Sequence, residues 1–201
     1  MKFIEKGKEP AAWKAYRDTP GVDFDAIPEL KDALLNEQGY ICCYCMSGIK
    51  ENNMKVEHYK ARSVYNDLKM EYSNLFAACK GNFCSDKHCD TKKENTELTI
   101  HPADSKSNCE QIIGYKLNGQ LTYPAEYETD IESTLNLNNF VLRANRQSTM
   151  EATVIALKKL GYSKKVIEKQ ISKFSNKNDV GKFNPYCNAV LWLLKKKLSA
   201  N

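Results

Sequence analysis

No stretch of this chain is apolar enough to enter a bilayer. The longest apolar run, Ala189–Leu194, falls far short of the ~18 residues that a membrane span needs. Met1 to Pro10 alternates charge and has no apolar centre of the kind an export signal carries. The expectation is a cytoplasmic protein with no membrane contact. Cysteine, at eight in 201 residues, is too sparse at about 4% for a disulfide-built scaffold. In a reducing compartment such thiols serve a metal more readily than disulfides. Glycine-rich phosphate loops ending in Lys-Ser/Thr are also missing, which excludes a P-loop nucleotide hydrolase within this chain. Acidic residues nearly vanish after Leu142: Arg143 to Asn201 holds 13 basic and 3 acidic residues.

What is present is an ordinary globular balance, with 42% hydrophobic, 27% charged and 10% aromatic residues and a net charge of +5. That composition supports a buried core, and the length suits one domain with a small appendage. The charge is two-sided, about +10 in the last segment against about −5 in the rest, where the counterion-release benefit of a basic surface is available to a phosphate polymer. Leu30, Ala33 and Leu34 share a face over 29–38 and Gly39 follows, predicting a helix and its stop. Asn118-Gly119, flanked by 111–117 and 120–123, predicts a type I′ β-hairpin. Met150, Val154, Leu157 and Leu160 before Gly161, then Val166, Ile167, Ile171 and Phe174 after Ser163, predict two helices. A last helix starts at Pro185, capped by Asn184.

Cys42 and Cys45 form a C-x2-C pair, the spacing at which a tight knuckle turns two sulfurs toward one tetrahedral zinc. Cys79, Cys84, His88 and Cys89 lie in one later stretch, and any two could complete the site; Cys79 and Cys89 are the chosen pair. C-x-x-C also serves disulfide exchange, but a thioredoxin-like βαβ context is missing. Zinc with four protein ligands keeps no open position, so chemistry is sought beside it. Cys109 and Cys187 read as packing thiols, and His101 as a loop histidine.

Between and after the cysteine pairs stand Lys55-Val56-Glu57-His58-Tyr59-Lys60-Ala61-Arg62, then Asn74-Leu75-Phe76-Ala77-Ala78-Cys79, then His88-Cys89-Asp90-Thr91-Lys92-Lys93. This order resembles the zinc-bearing HNH endonucleases. The wider context, over roughly 1–146, resembles the HNH nuclease subunit of Septu and retron antiphage defence systems. The pattern departs in having Glu57 where Asp is commoner, Asp90 where His or Asn is usual, and an insertion over 80–88. The resemblance implies an α+β protein with a zinc-stapled ββα-metal core, flanking helices and a β-hairpin. It also implies an ABC- or SMC-like ATPase on another chain.

Phosphodiester hydrolysis needs an activated water and a cation against developing charge. His58 is the candidate general base. Glu57 and Asp90 are the candidate ligands of Mg²⁺ or Mn²⁺, with His88 a rival ligand for either metal. Neighbours on a regular strand face opposite ways, so Glu57 and His58 share a site only if the strand ends there. Asn74, whose amide both donates and accepts, is expected to tie the following loop and hold His58 in place. Lys60, Arg62 and Lys93 are candidates for phosphate contact with DNA or RNA, tRNA included. The expected organisation is a helical lead over 1–41, the nuclease core over 42–100, a β-hairpin and connection over 101–142 and a basic helical segment over 143–201, packed as one compact unit. The lysines from Lys158 to Lys182, with Lys195, Lys196 and Lys197, suit phosphates, an acidic partner or a solvated face. The rival function is a zinc-stapled adaptor that binds nucleic acid or protein without cleaving.

Overall fold

The computed structural model describes residues 1–82 and 86–200; Cys84, one alternative zinc ligand, lies outside them. The fold is mixed, with helices around two small antiparallel sheets. Helix α1 (Ala11–Arg17) is anchored by Trp13, which is fully buried and donates its indole N–H to the Met70 carbonyl at 3.1 Å. Helix α2 (Pro28–Gln38) buries Leu30, Leu34 and Leu35, and Gly39 ends it in the left-handed region at φ 60°, where a residue without Cβ carries no steric penalty.

Strands β1 (Met54–His58) and β2 (Leu75–Cys79) pair antiparallel, with Glu57 opposite Phe76 and His58 opposite Leu75. β2 is buried throughout. A third strand is not needed on its outer edge, because Gln38 fills that role. Its side chain accepts from Ala77 N at 2.7 Å and donates to Ala77 O at 2.8 Å, and Cys43 N also donates to Ala77 O at 3.0 Å. The backbone polar groups of the buried Ala77 are thereby satisfied. The one-turn helix α3 (Asp90–Lys93) follows, giving the local order β, β, α.

Beyond it come the short helix α4 (Cys109–Ile112) and the strands β3 (Gly114–Tyr115) and β4 (Leu121–Thr122). The hairpin is where expected, but its turn is of a different type and its first arm begins as a helix. Only Gly119 has positive φ, at 77°, whereas a type I′ turn requires it at Asn118 as well. The Gly119 N–H bonds to Lys116 O, and Lys116 N to Gln120 O, the pattern of a type I turn closed by a glycine bulge. Helix α5 (Phe140–Leu160) explains why: a Cβ at Gly119 would stand 2.0 Å from the Arg143 carbonyl oxygen. The buried Arg146 of α5 also donates to Gly119 O at 2.6 Å and to Leu137 O at 2.8 Å.

A π-helical stretch, Thr129–Thr134, was not foreseen. Its Asp130 carboxylate accepts from Thr99 N and Ile100 N at 2.7 and 2.8 Å. Helix α6 (Lys164–Ser175) is capped by Ser163. Helix α7 (Cys187–Leu198) begins two residues later than expected, after Tyr186 in the left-handed region rather than under an Asn184 side-chain cap. Its Val190 and Leu194 pack inward on Leu157 and Ile167, with Leu198 half-buried against them. Cys109 and Cys187 are buried in the core. Among the described residues no helix is long and apolar enough to cross a membrane.

Replacing Gly119 by Ala combines positive-φ strain with a backbone clash. Denaturant unfolding should show a loss of about 1–3 kcal/mol. The same change at Gly21, where φ is 82° and nothing lies within 4 Å, should cost clearly less.

Candidate metal centre and active-site cleft

The first cysteine pair sits on a knuckle. Ile41 bridges Gly48, Cys42 N donates to Ser47 O at 2.9 Å, and Met46 takes positive φ to turn the chain back. Cys79 ends β2 and Cys89 immediately precedes α3, so two later elements bring their sulfurs to the knuckle. Cys42, Cys45, Cys79 and Cys89 are all buried, with every sulfur within 4.8 Å of the others. The Cys45–Cys79 and Cys42–Cys89 separations are 3.7 and 4.0 Å. Tetrahedral zinc with Zn–S near ~2.3 Å places sulfurs roughly 3.8 Å apart. The donor set fits a metal such as zinc. Cys43 is buried outside the cluster, and burial with the neighbouring Cys42 pushes its thiol far up. His88 is buried against the sulfurs, its Nδ1 3.1 Å from Cys89 Sγ and 3.9 Å from Cys79 Sγ.

Beside the cluster a cleft of about 630 Å³ is lined by Glu57, His58 and Asp90, with Lys55, Arg62 and Phe24. β1 ends at His58, which is how two successive residues come to face one space. Asp90 opens α3 and pairs with Lys55 at 2.8 Å. Glu57 is 2% exposed, and its Oε1 accepts from the Tyr44 hydroxyl at 2.8 Å and the Lys93 ammonium at 2.9 Å. Burial, then the facing Asp90 carboxylate, push Glu57 up to about 8, although Lys93 opposes the shift. Asp90 stays below its ordinary value despite desolvation, through its bonds with Glu57 and Lys55. Two carboxylates facing one another repel unless a proton or a cation lies between them, so this pair fits a divalent cation with oxygen preference.

His58 Nε2 lies 3.0 Å from the Lys69 carbonyl. Toward a carbonyl that nitrogen can only donate, which leaves Nδ1 to accept a proton. Burial holds the imidazole below its ordinary value, opposed by the Lys69 bond, and so favours its neutral form. Its ring packs edge-on against Phe24 at 4.4 Å, and Phe24 in turn against Trp13 at 5.8 Å. Lys69 is itself tied to Asp23 at 2.8 Å. None of this clamp was foreseen. It joins residues far apart in sequence and leaves no spacing signal.

Asn74 accepts from Lys60 N at 2.7 Å and donates to the carbonyls of Lys60 and Leu68 at 3.0 and 3.1 Å; its own carbonyl accepts from Tyr59 N at 3.0 Å. The loop after His58 is thus sewn to the entrance of β2. Arg62 is exposed at the cleft, over the Phe24 ring. Lys60 turns away to Glu97 at 2.7 Å. Lys93, expected at a phosphate, is fully buried. It binds Glu57 and the His58 carbonyl at 3.3 Å, because α3 directs its fourth residue back under β1. His101 is a structural loop residue, accepting from Ala103 N at 2.9 Å and packing on Tyr59.

The chain is similar to proteins named as retron HNH endonucleases and to a Septu protein. It is 25% identical over 172 residues, 80% of this chain and 82% of the relative, to the "Retron Vc95 putative HNH endonuclease" of Vibrio cholerae serotype O1 biovar El Tor. It is 32% identical over 96 residues to the Septu protein PtuB of Bacillus thuringiensis, and that match covers 46% of this chain but only 36% of the PtuB protein. To the "Retron Ec83 putative HNH endonuclease" of Escherichia coli it is 37% identical over 59 residues, 26% of this chain and 23% of the relative. No family model matches the chain.

Elemental analysis should find one zinc per chain. Cys42→Ser, Cys45→Ser, Cys79→Ser and Cys89→Ser should each lose it along with the cooperative melt, since ligation and folding are linked, whereas Cys109→Ser keeps it. Above about pH 8, where Glu57 is ionised, Lys93→Met should lower stability by about 3–5 kcal/mol in denaturant unfolding, because it strands a buried carboxylate. Adding Glu57→Gln should recover much of that loss.

Proposed function

We propose that the chain is a metal-dependent HNH endonuclease with a ββα-metal core, hydrolysing phosphodiester bonds of nucleic acid as the effector of an antiphage defence complex in the cytoplasm. The observation that carries this reading is the convergence of His58, Glu57 and Asp90 on one cleft beside the four-cysteine cluster. The similarity to retron and Septu HNH proteins supports it.

In this reading His58 Nδ1 takes the proton of the attacking water, with the ring held by Lys69 O and Phe24. Glu57 and Asp90 hold Mg²⁺ or Mn²⁺, which when bound supplies the positive charge that phosphate and leaving oxygen require. Arg62, exposed at the cleft mouth, contacts a phosphate and so fixes the strand. Asn74 keeps the intervening loop in one conformation. Zinc at the four cysteines maintains shape and takes no part in the chemistry. The ATPase partner rests on the resemblance to Septu and retron systems, and the exposed lysines of α5 and α6 are the surface offered to it or to nucleic acid.

A nicking assay on DNA and RNA with Mg²⁺ or Mn²⁺ tests the reading. His58→Ala should cut the rate ~10²- to 10⁴-fold, the usual contribution of a general base, with zinc content unchanged. A variant that nicks at the wild-type rate would remove His58 from the mechanism. Wild-type protein that binds nucleic acid and never cleaves it, with its partner present, would make the chain an adaptor.

A further inference from the structure

Tyr44 lies inside the knuckle, between the ligand cysteines Cys42 and Cys45, yet its hydroxyl leaves the knuckle and donates to Glu57 Oε1 at 2.8 Å. It is fully buried. Lys93, four residues after Cys89, reaches the same oxygen at 2.9 Å from the opposite end of the cluster. Two of the three ligand segments of the cysteine cluster therefore send a side chain to one oxygen of one carboxylate. With Oε1 occupied by two donors, the carboxylate cannot rotate freely, and its second oxygen is the one left to face Asp90. Lys93 also donates to the His58 carbonyl, so the strand end itself is pinned.

The geometry points to Tyr44 as a positioning residue: from within the zinc knuckle it fixes the Glu57 carboxylate so that a single oxygen is presented, with Asp90, to the cleft's divalent cation. This rests on the proposed reading of Glu57 and Asp90 as cation ligands. Tyr44 touches neither substrate nor cation. Its effect is exerted through orientation, as partners of ligating carboxylates generally do, and their loss typically costs 10- to 100-fold in metal affinity. The Tyr44 hydrogen bond would then join the structural and the catalytic metal sites, alongside the Lys93 contact and the direct Cys89-Asp90 chain connection. Distortion of the knuckle would be felt as weaker cation binding before the fold is lost.

Tyr44→Phe removes one hydroxyl and no charge. In full-length, zinc-replete protein, Mn²⁺ affinity read by electron paramagnetic resonance should fall ~10- to 100-fold, with zinc content and a cooperative melt retained, and nicking should recover at high Mn²⁺. An affinity within twofold of wild type overturns the proposal. So does loss of zinc in Tyr44→Phe, since the residue would then serve the knuckle alone. Glu57→Gln separates the two levels of inference. If it binds Mn²⁺ as wild type does, the cation-site reading itself fails; if it loses Mn²⁺ while Tyr44→Phe keeps it, only the positioning role fails. A measurement that does not depend on the variant folding uses wild-type protein labelled with 3-fluorotyrosine. Mg²⁺ should shift a ¹⁹F resonance that Glu57→Gln leaves unshifted, and a spectrum unmoved by saturating Mg²⁺ overturns the proposal.

Discussion

Four sulfurs from three separate stretches of chain converge within 4.8 Å, and the rest of the structure depends on that convergence. The β1–β2 pair is two strands of five residues, and an isolated two-stranded sheet is marginal in water. The helix that follows is a single turn, too short to persist alone. What holds these pieces in register is the closure from knuckle to strand end to helix start. Apolar burial then completes it, through a core that runs from Met1 to Leu193. Four close thiolates would repel without a cation. Metal binding energy at such a cluster is folding energy, so a metal held there would set the geometry of the adjoining cleft.

The cleft is balanced rather than strongly charged. Its lining side chains include Lys31, Lys55, Arg62 and Lys87 against Glu57, Asp90 and Glu94. Such a surface has little long-range attraction for a polyanion. A divalent cation between the two carboxylates would tip the balance toward phosphate, making substrate binding and cation binding mutually dependent. Long-range steering would come from elsewhere, and the lysine-rich exposed faces of α5 and α6 are the obvious source. The apolar positions of α7 face inward, so the basic segment is packed onto the body of the protein and its charge is carried at a fixed orientation.

The parts legible in the sequence were those fixed by spacing or by local conformation. The C-x2-C knuckle, the loop-tying position of Asn74 and the helix stop at Gly39 follow from local chemistry, whereas spacing left any two of Cys79, Cys84, His88 and Cys89 open and the fold brings the chosen Cys79 and Cys89 to the knuckle. The contacts that orient the cleft were not legible. Phe24 on His58, Lys69 O on Nε2, and Tyr44 and Lys93 on Glu57 are pairings of distant residues whose partners cannot be read from either segment alone. Lys93 is instructive because lysine near a nuclease motif suggests a phosphate, yet a one-turn helix starting at Asp90 turns its fourth side chain inward. The turn at Asn118-Gly119 differed for a similar reason. Its local signal favours a hairpin of either type, and the approach of α5 to Gly119 selects the one with a single positive φ.

Under the proposed reading, the departures at positions 57 and 90 compensate one another in physical terms. A glutamate has one more methylene than an aspartate. That reach lets the buried Glu57 carboxylate meet Tyr44 and Lys93 while still bordering the cleft. An aspartate at the start of α3 supplies a second anionic oxygen ligand in place of a neutral nitrogen or amide. Two carboxylates so close would be costly by themselves, and each has its own lysine: Lys93 for Glu57 at 2.9 Å and Lys55 for Asp90 at 2.8 Å. The two lysines differ in kind. Lys93 is sealed in the core and cannot leave, whereas the Lys55 side chain is 45% exposed and can swing away when a divalent cation takes its place. The pair of carboxylates is therefore held neutral enough to fold before the cation arrives, and the cation would displace the exposed Lys55 together with the proton that Glu57, pushed up to about 8, keeps near neutrality.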